Sequence, residues 1–374
     1  MFGDERMSNW YQISDESEIP SPALLVYPER IAENLQRMIT LAGGGHRLRP
    51  HVKTHKMPEV IRLCLAAGID RFKAATIAES EMTAEAGGRD ILLAYPVVGP
   101  TAPRLAALGR RFPAVRFRAT VDSDRGIDDL GRAATAAGVT IDTLLDLNVG
   151  MNRTGVDPGP EAMRLARGIA GSASLSFGGL HAYDGHLTDA DRAALAAKVE
   201  AAFAPVWALR DDLAAGGLPV PLIVAGGTPT FPILAARGDV EVGAGTTVLW
   251  DFGQPLLSPD LDFLNAAVLL ARVVSHPAPG RLCIDLGHKA VASEMPHPRV
   301  RIFGLEDAAF PMHSEEHLVV ETPRAADFPV GTVLYALPRH VCPTVALHEH
   351  AVAVRDGRAA ERWHVAARTR RITI

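Results

Sequence analysis

The sequence predicts an α/β protein in which a (β/α)8 TIM-type barrel is joined to an antiparallel β-domain. Between residues 47 and 245, eight short apolar runs alternate with helical patterns, as is typical of parallel α/β barrels. Beyond residue 262 the helical periodicity fades, and apolar or β-branched runs recur between proline and glycine turn signals. An open, doubly wound sheet is the alternative, but no GxGxxG motif follows a predicted strand. These observations favour the barrel.

The predicted barrel strands and helices alternate along the chain. Strands are predicted at 47–54, 71–76, 90–96, 116–122, 140–148, 176–183, 222–227 and 240–245. Helices are predicted at 57–67, 77–86, 100–111, 123–137, 159–171, 188–215 and 230–237. Several of them end at glycine, as at Gly68 and Gly138, which is the expected C-terminal stop. A further helix begins at Pro28 and repeats its apolar positions with helical spacing until Gly43.

A short apolar strand at 23–27 precedes the eight barrel strands and has no place among them. We therefore assign it to the β-domain. The other strands of that domain are predicted at 264–274, 281–286, 299–303, 316–321, 332–337, 344–354 and 361–367. The predicted organisation is thus a barrel at 28–260 and a β-domain formed by 1–27 and 261–374.

Composition narrows the class of protein. The net charge of −5 over 374 residues, without blocks of like charge, argues against nucleic acid or an anionic membrane as a partner. Cys64, Cys283 and Cys342 form no CxxC pair, and so few cysteines indicate a reducing compartment. The first residues carry acids and no apolar signal-peptide region, and no apolar run reaches the ~20 residues of a membrane span. We expect a cytoplasmic protein that acts on a small molecule.

The stretch RPHVKTHK at 49–56 holds the first candidate catalytic residue, Lys53. The predicted strand places this lysine at a carboxyl end, the edge at which parallel α/β folds carry out their chemistry. In a dry pocket a lysine amine is neutral or paired, and a neutral amine can form a Schiff base with a carbonyl cofactor. A solvated lysine that ends a strand explains the octapeptide equally well when it is taken alone.

An arginine and three polar rings follow the fifth and sixth predicted strands. Arg153 lies in DLNVGMNRTG, where a buried guanidinium would suit a carboxylate, a phosphate or a phenolate oxygen. His181 and Tyr183 share one face of the sixth strand, and His186 follows on the next loop. Such rings can stack on a planar cofactor or transfer protons. A surface arginine in a glycine turn and structural histidines are the simpler alternatives.

Two loops that contain glycine and threonine follow the seventh and eighth strands. The loop at 226–230 includes Gly227 and Thr228, and the loop at 243–247 includes Gly245 and Thr246. Barrel enzymes frequently bind phosphate with backbone N–H groups of these two loops. Tight turns alone would not require threonine in both, so the pair predicts a phosphate site.

His340 and Cys342 form an HxC pattern before Pro343. In an extended segment these two residues face the same side and offer a nitrogen and a thiolate to one metal, which suits Zn²⁺ best. Two protein ligands would leave positions open for water or substrate, as catalytic sites require. HxC is a short pattern, and by itself a structural role is the simpler explanation.

Together these residues resemble the D-threonine aldolase and D-serine dehydratase family, which are fold-type III pyridoxal-phosphate (PLP) enzymes related to alanine racemase. The matching segments, which span nearly the whole chain, are 49–56, 150–155 (GMNRTG), 181–186 (HAYDGH), 226–230 (GGTPT), 243–246 and the pair His340 and Cys342. The resemblance implies PLP on Lys53, its phosphate at the loops 226–230 and 243–247, and neighbouring Arg153, His181 and Tyr183. It also implies a divalent metal near the substrate's β-hydroxyl, with Zn²⁺ expected and Mn²⁺ or Mg²⁺ as alternatives.

The resemblance further implies a homodimeric lyase that acts on D-β-hydroxy amino acids. Retro-aldol cleavage of the D-threonine type is favoured because MNRTG and HVCPTV look like bacterial aldolase segments. His186 would then be the base for the hydroxyl proton. Dehydration of D-serine or D-3-hydroxyaspartate stays open, since Cys342 matches the dehydratase pattern whereas aldolases often carry aspartate there. An amino-acid racemase would leave the HxC pair without a purpose, and the β-domain argues against a PLP carrier without turnover.

Overall fold

The computed structural model describes residues 9–374. Residues 1–8, on which most of the signal-peptide interpretation and the start of the 1–27 segment fall, lie outside the described residues. After a 3-10 helical turn at Glu16–Glu18, the described chain forms strand β1 (Ala23–Val26) and helix α1 (Pro28–Ala42). Two sheets follow, one parallel and one mixed.

The first sheet contains seven parallel strands in chain order, β2 to β8. They are β2 (Arg71–Ala74), β3 (Asp90–Pro96), β4 (Arg116–Val121), β5 (Ile141–Leu147), β6 (Leu175–Ala182), β7 (Ile223–Ala225) and β8 (Glu241–Val242). Single parallel bridges from Leu48 to Val242 and from His51 to Lys73 join the two edges of the sheet. The sheet is therefore curled, with residues 48–51 in the eighth position, and the predicted fold class is confirmed.

The first predicted barrel strand, at 47–54, is wrong in its second half. Val52–Thr54 form a 3-10 helical turn, so Lys53 lies in a turn beyond the sheet edge and not at the end of a strand. The side chain of His51 causes this difference, because its Nδ1 accepts a hydrogen bond from the Lys53 N–H at 3.4 Å. Such local side-chain bonds give the backbone an alternative to the strand ladder.

The helices occupy the predicted gaps. They are α2 (Pro58–Ala66), α3 (Ile77–Glu85), α4 (Thr101–Arg111), α5 (Asp124–Ala137), α6 (Pro160–Ala170), α7 (Arg192–Ala215), α8 (Phe231–Ala236), α9 (Gln254–Leu257) and α10 (Val341–Leu347). Helix α7 begins later than predicted because the Asp191 carboxylate caps it by accepting the Ala194 N–H. Gly138 ends α5 with a φ of 67°, a left-handed conformation that favours glycine. Within residues 9–374, no helix has the length and apolar character needed to cross a bilayer.

The second sheet contains β1 and eight later strands. These are β9 (Ala267–Ala278), β10 (Arg281–Ile284), β11 (Val300–Ile302), β12 (Ala309–His313), β13 (Leu318–Glu321), β14 (Val333–Pro338), β15 (His350–Arg355) and β16 (Arg358–His364). Strand β1 lies between β9, to which it is antiparallel, and β15, to which it is parallel. The placement of the N-terminal strand is thus confirmed, although its parallel pairing with β15 makes the sheet mixed.

Two details of the β-domain differ from the prediction. The predicted strand at 344–354 is wrong in its first part, because residues up to Leu347 belong to α10 and β15 starts at His350. Strand β12 was not predicted; it is a largely exposed edge strand that contains Pro311, so it lacks the apolar alternation of a half-buried strand.

One continuous apolar core joins the barrel to the β-domain. Leu35 of α1, Leu93 of β3, Leu269 of β9 and Val341 of α10 belong to the same buried cluster. Packing of this kind holds α10 in a defined position relative to the carboxyl ends of the barrel strands. The exact boundaries between the two domains stay a prediction.

The opposite end of the barrel lumen contains a buried ion-pair network. The Arg49 side chain is fully buried and contacts Glu241 through Nε and Asp90 through Nη1, each at 2.7 Å. Arg118 also donates to Asp90, at 2.9 Å. Burial alone would raise the pKa of the Asp90 carboxyl, but Arg49 and Arg118 lower that pKa to about 2.

Replacing Arg49 with methionine is expected to destabilise the fold by about 3 kcal/mol, because breaking a buried ion pair leaves its partners charged and unpaired. Urea unfolding at neutral pH measures the change. Arg281→Met is the control, since it removes the exposed pair with Glu321 and should cost under about 1 kcal/mol. Equal losses in the two variants would contradict the expectation.

Candidate active site

Three cationic side chains surround the ring of Tyr183, just beyond the carboxyl end of β6. The Nζ atoms of Lys53 and Lys73 lie 5.8 and 5.2 Å from the ring centroid, and the Arg153 Cζ lies 4.9 Å from it. These residues come from four separate segments that meet at one edge of the barrel. Positive charge concentrated there suits an anionic ligand. We call Lys53, Lys73, Arg153 and Tyr183 the cationic cluster.

His181 lies inside the barrel and is oriented by Asp146. The two residues are register partners on β6 and β5, and the His181 Nδ1 is 2.6 Å from the Asp146 Oδ1. Burial, helped by the charge of Lys73, lowers the pKa of the imidazole. The His181 Nε2 is buried and has no hydrogen-bond partner among the described residues. A ring held in this way leaves a buried, unpaired nitrogen that a ligand could satisfy.

Lys73 is the most unusual residue of the cluster, because only 2% of it is exposed and its Nζ has no hydrogen-bond partner among residues 9–374. Burial, reinforced by the charge of Lys53, lowers its pKa to about 7, although Asp146 and Asp184 oppose the shift. A buried amine without an acceptor is costly. Its donors are therefore available to a ligand.

We expect Lys73→Met to stabilise the cofactor-free protein more at pH 6 than at pH 9. Between the folded pKa of about 7 and the unfolded value of about 10.4, only the unfolded state binds the proton, so wild-type stability rises with pH. The full penalty, on the order of 4 kcal/mol, applies below pH 7. Urea unfolding at both pH values tests this. Lys289→Met, which changes an exposed lysine, is the control; equal effects of Lys73→Met at both pH values would contradict the expectation.

Three glycines lie where a side chain would collide with the cationic cluster or with His51. A Cβ on Gly243 would lie 3.2 Å from the Lys73 Nζ, and a Cβ on Gly227 would lie 3.2 Å from the Tyr183 ring. A Cβ on Gly245 would lie 2.8 Å from the His51 carbonyl oxygen. The two predicted phosphate loops thus bring bare backbone next to the cationic cluster, as close approach to a ligand requires.

The loop at 226–230 is tied to Asp184. The Gly227 N–H donates to the Asp184 Oδ1 at 2.8 Å, so this amide is already paired. Burial raises the pKa of the Asp184 carboxyl, and its Oδ2 has no partner among the described residues. Thr228 is buried beside it. An anion in this loop would depend on groups other than the Gly227 amide.

His340 and Cys342 lie at the junction with the β-domain, at the start of α10. His340 is the extended residue that precedes the helix and Cys342 is in its first turn, so the pair does not lie in a fully extended segment. Helical geometry still brings the two together: burial would raise the pKa of the thiol, but the hydrogen bond and charge of His340 lower it. Burial opposes the shift of His340 itself, whose pKa the Cys342 interactions raise to about 9.

The surroundings of this pair fit a metal ion. The His340 Nδ1 contacts the Glu294 Oε1 at 2.5 Å, an arrangement that orients an imidazole toward a metal through its other nitrogen. The Cys342 Sγ is 3.3 Å from the Thr54 Oγ1 and 3.6 Å from the Thr246 Oγ1. The Cys342 thiol therefore contacts both Thr54, the residue that follows Lys53 in the chain, and the predicted phosphate loop at 243–247.

Arg153 and His186 lie at the exposed rim of the site, and Arg153 thereby differs from expectation. Arg153 is exposed, not buried, and its guanidinium lies over the ring of Tyr183. His186 is also exposed; its Nε2 lies 3.1 Å from the position of a Cβ on Gly150, in the loop that carries Arg153. Within residues 9–374, no hydrogen bond joins His186 to His340 or Cys342. The structure therefore brings His186 to the rim of the site.

Sequence reasoning missed Lys73, Asp146, Asp184 and Glu294. A usable signal existed for Lys73, because a lysine between Phe72 and Ala74 in a parallel strand lies in a segment buried on both faces. Asp184 lies inside the segment HAYDGH, but the sequence motif by itself assigns no role to it. Nothing in the local sequence marks Glu294, which reaches His340 from 46 residues away.

The protein combines a parallel barrel that has Lys53 beyond one sheet edge with a β-domain whose helix α10 begins at His340 and Cys342. Comparisons with known proteins identify the class that this arrangement defines. The family model "Alanine racemase, N-terminal domain" matches residues 26–247, and "Putative serine dehydratase domain" matches residues 266–354. The chain belongs to this family of D-β-hydroxy amino acid lyases with an alanine racemase-like fold. The family prediction is confirmed.

Several relatives are similar over nearly their full length. D-threonine aldolase of Arthrobacter sp is 32% identical over 94% of this chain and 93% of the relative. 3-Hydroxy-D-aspartate aldolase of Paracoccus denitrificans (strain Pd 1222) is 30% identical over 95% of this chain and 93% of the relative.

Solved structures agree with this assignment. The crystal structure of D-threonine aldolase from Filomicrobium marinum matches with a TM-score of 0.88 at 30% identity, over 94% of this chain and 96% of that one. D-threo-3-hydroxyaspartate dehydratase from Delftia sp. HT23 matches with a TM-score of 0.79 at 26% identity, over 93% and 98%. The relatives thus include both aldolases and dehydratases.

Proposed function

We propose that the protein is a PLP- and metal-dependent lyase that cleaves D-β-hydroxy amino acids of the D-threonine type by a retro-aldol reaction. The observation that carries the proposal is the convergence of Lys53, the cationic cluster and the His340–Cys342 pair, since Cys342 contacts the hydroxyl of Thr54, the residue next to Lys53. The 32% identity to a D-threonine aldolase favours cleavage over dehydration.

The pocket offers what PLP requires. The unpaired Lys73 Nζ and His181 Nε2 supply buried polar atoms for the cofactor, and Gly227 and Gly245 leave room for it beside Tyr183 and His51. Lys53 would hold the aldehyde group through its amine. When bound, PLP supplies an electron sink for the charge that develops on the substrate.

The protein's own groups would orient the substrate and move its protons. The Arg153 guanidinium, at the exposed edge of the cluster, can bind the substrate carboxylate through paired donors. His186 would accept the proton of the β-hydroxyl, directly or through a water. Lys53 would transfer protons to or from the α-carbon. His340 and Cys342 would hold a divalent cation, most favourably Zn²⁺, whose contribution is Lewis-acid polarisation of the hydroxyl.

Dehydration is the second candidate, and one observation favours it. Solved structures of D-threo-3-hydroxyaspartate dehydratase include a variant with cysteine changed to alanine, described as metal-free, and a variant with histidine changed to alanine two positions earlier. That spacing is the spacing of His340 and Cys342. It supports the metal role of the pair, and it is compatible with dehydration of D-serine or 3-hydroxyaspartate.

Product analysis distinguishes the candidates. The holoenzyme with Zn²⁺ or Mn²⁺ should release acetaldehyde and glycine from D-threonine and leave L-threonine unchanged. Release of pyruvate and ammonia from D-serine without acetaldehyde from D-threonine would replace cleavage with dehydration. Inversion of D-alanine alone would indicate a racemase, and cofactor binding without any turnover would indicate a carrier.

His186→Gln should reduce cleavage at least ~10²-fold, the lower range for the loss of a general base. Glutamine preserves hydrogen bonding, but its amide does not act as a base. Because residue 186 is exposed, the absorbance of bound PLP should not change. Steady-state turnover with D-threonine gives the measurement, and His317→Gln, at another exposed histidine, is the control. Unchanged turnover in His186→Gln would remove this residue from the mechanism.

A further inference from the structure

Two histidines face each other across the last two strands of the second sheet. His350 of β15 and His364 of β16 are register partners. The Val365 N–H donates to the Glu349 carbonyl at 2.9 Å, so His350 and His364 form a non-hydrogen-bonded pair, the kind in which side chains approach most closely. Their ring centroids are 5.2 Å apart and tilted by 34°. The strand register therefore holds two imidazoles side by side.

The carboxylate of Glu349 completes a group of three. One ligand atom from each of Glu349, His350 and His364 lies within 4.8 Å of the other two. Within residues 9–374, this is the group of three metal-ligating side chains that lie close enough to hold one ion. None of the three side chains makes a hydrogen bond or ion pair with another described residue. The neighbouring His348, by contrast, is held away by the bond between its Nε2 and the Ala290 carbonyl at 2.7 Å.

We propose that Glu349, His350 and His364 form a second divalent-cation site, separate from the His340–Cys342 pair. Two imidazoles and one carboxylate are the donors of three-ligand Zn²⁺ sites that keep an open position. Ni²⁺ and Cu²⁺ also favour imidazole, whereas Mg²⁺ and Ca²⁺ prefer oxygen ligands. Bonds of about 2.0–2.1 Å separate tetrahedral ligand atoms by roughly 3.4 Å. The ligand atoms therefore need to approach by at most about 1.4 Å, the difference between 4.8 Å and roughly 3.4 Å, which side-chain rotation can provide.

The site is connected to the active site through α10. His340 and Cys342 lie at the start of this helix, and Glu349 and His350 follow its end. Seven helical residues span about 10 Å, so the two ions would be bound at opposite ends of one short segment. An ion at the second site would join the end of this segment to β16. It would thereby stabilise the region that carries the active-site ligands without contacting the substrate.

Metal counting tests the proposal on the holoenzyme. After chelator treatment and equilibrium dialysis against Zn²⁺, the wild-type protein should contain two ions per chain. His364→Asn should retain one, the double variant His340→Ala with Cys342→Ala should also retain one, and the control His317→Asn should retain two. Turnover of His364→Asn should equal that of the wild type when the active-site pair is loaded.

Calorimetric titration separates the two sites. In the His340→Ala, Cys342→Ala background, Zn²⁺ should bind once, Mg²⁺ should not bind, and adding Glu349→Gln should weaken the Zn²⁺ affinity at least tenfold. Zn²⁺ binding that survives both Glu349→Gln and His364→Asn would overturn the proposal. A wild-type protein that binds one ion, and loses it only in His364→Asn, would support this second site and remove the metal from the proposed function. Failure of the second site and failure of the proposed metal-dependent mechanism therefore give different results.

Discussion

Replacing Lys53 with alanine is expected to reduce turnover of D-threonine by at least ~10³-fold, toward the upper range for losing a group that transfers protons. Lys53 is the partly exposed amine of the cationic cluster, and the turn capped by His51 presents it at the barrel edge. In the proposed mechanism, the variant would lose both the covalent attachment of PLP and the amine that acts at the α-carbon. Borohydride reduction of the wild-type protein followed by peptide mapping should place the modified residue at 53.

Lys73 provides the matched comparison, because it lies beside the same ring but is almost fully buried. Lys73→Met should keep the borohydride label on Lys53 while weakening PLP binding, since the donor that its amine offers would be lost. A label on Lys73 in the wild-type protein would transfer the covalent role to that residue. Full turnover by Lys53→Ala would overturn the central assignment of the proposed mechanism.

The second large effect is expected at the metal pair. Cys342→Ala or His340→Ala should remove the active-site ion and slow cleavage by roughly 10³-fold, since Lewis-acid stabilisation is worth several kcal/mol. PLP absorbance should be largely retained, because the cationic cluster does not include these residues. Metal content and turnover are measured on the same preparations.

A graded control comes from Glu294, which contacts the His340 Nδ1 and is not one of the two proposed metal ligands. Glu294→Gln should weaken metal affinity by roughly 10- to 100-fold, the usual cost of losing an orienting partner. Turnover should therefore recover at saturating Zn²⁺ in Glu294→Gln and not in Cys342→Ala. Turnover that is indifferent to chelators in the wild-type protein would rule out a catalytic metal.

Much of the fold was predictable because its signals are local. The alternation of apolar runs and helical patterns follows from side-chain periodicity, and helix ends follow from stops such as Gly138. The strand predicted at 47–54 was wrong because a single side-chain bond from His51 bends the backbone. The start of the strand predicted at 344–354 was wrong because these residues belong to α10, which packs through Val341 into the common core.

By itself, the sequence determined the alternation, the order of the elements and the motif residues that identify the family. Only the tertiary structure decided which charged groups meet. Lys73 and Gly243 are 170 residues apart, yet the amine occupies room that a side chain at 243 would need. The contacts of His340 with Glu294 and of His350 with His364 likewise join residues that are distant in the chain. Periodicity and capping act between near neighbours in the chain, whereas these contacts depend on sheet register and on the packing of distant segments.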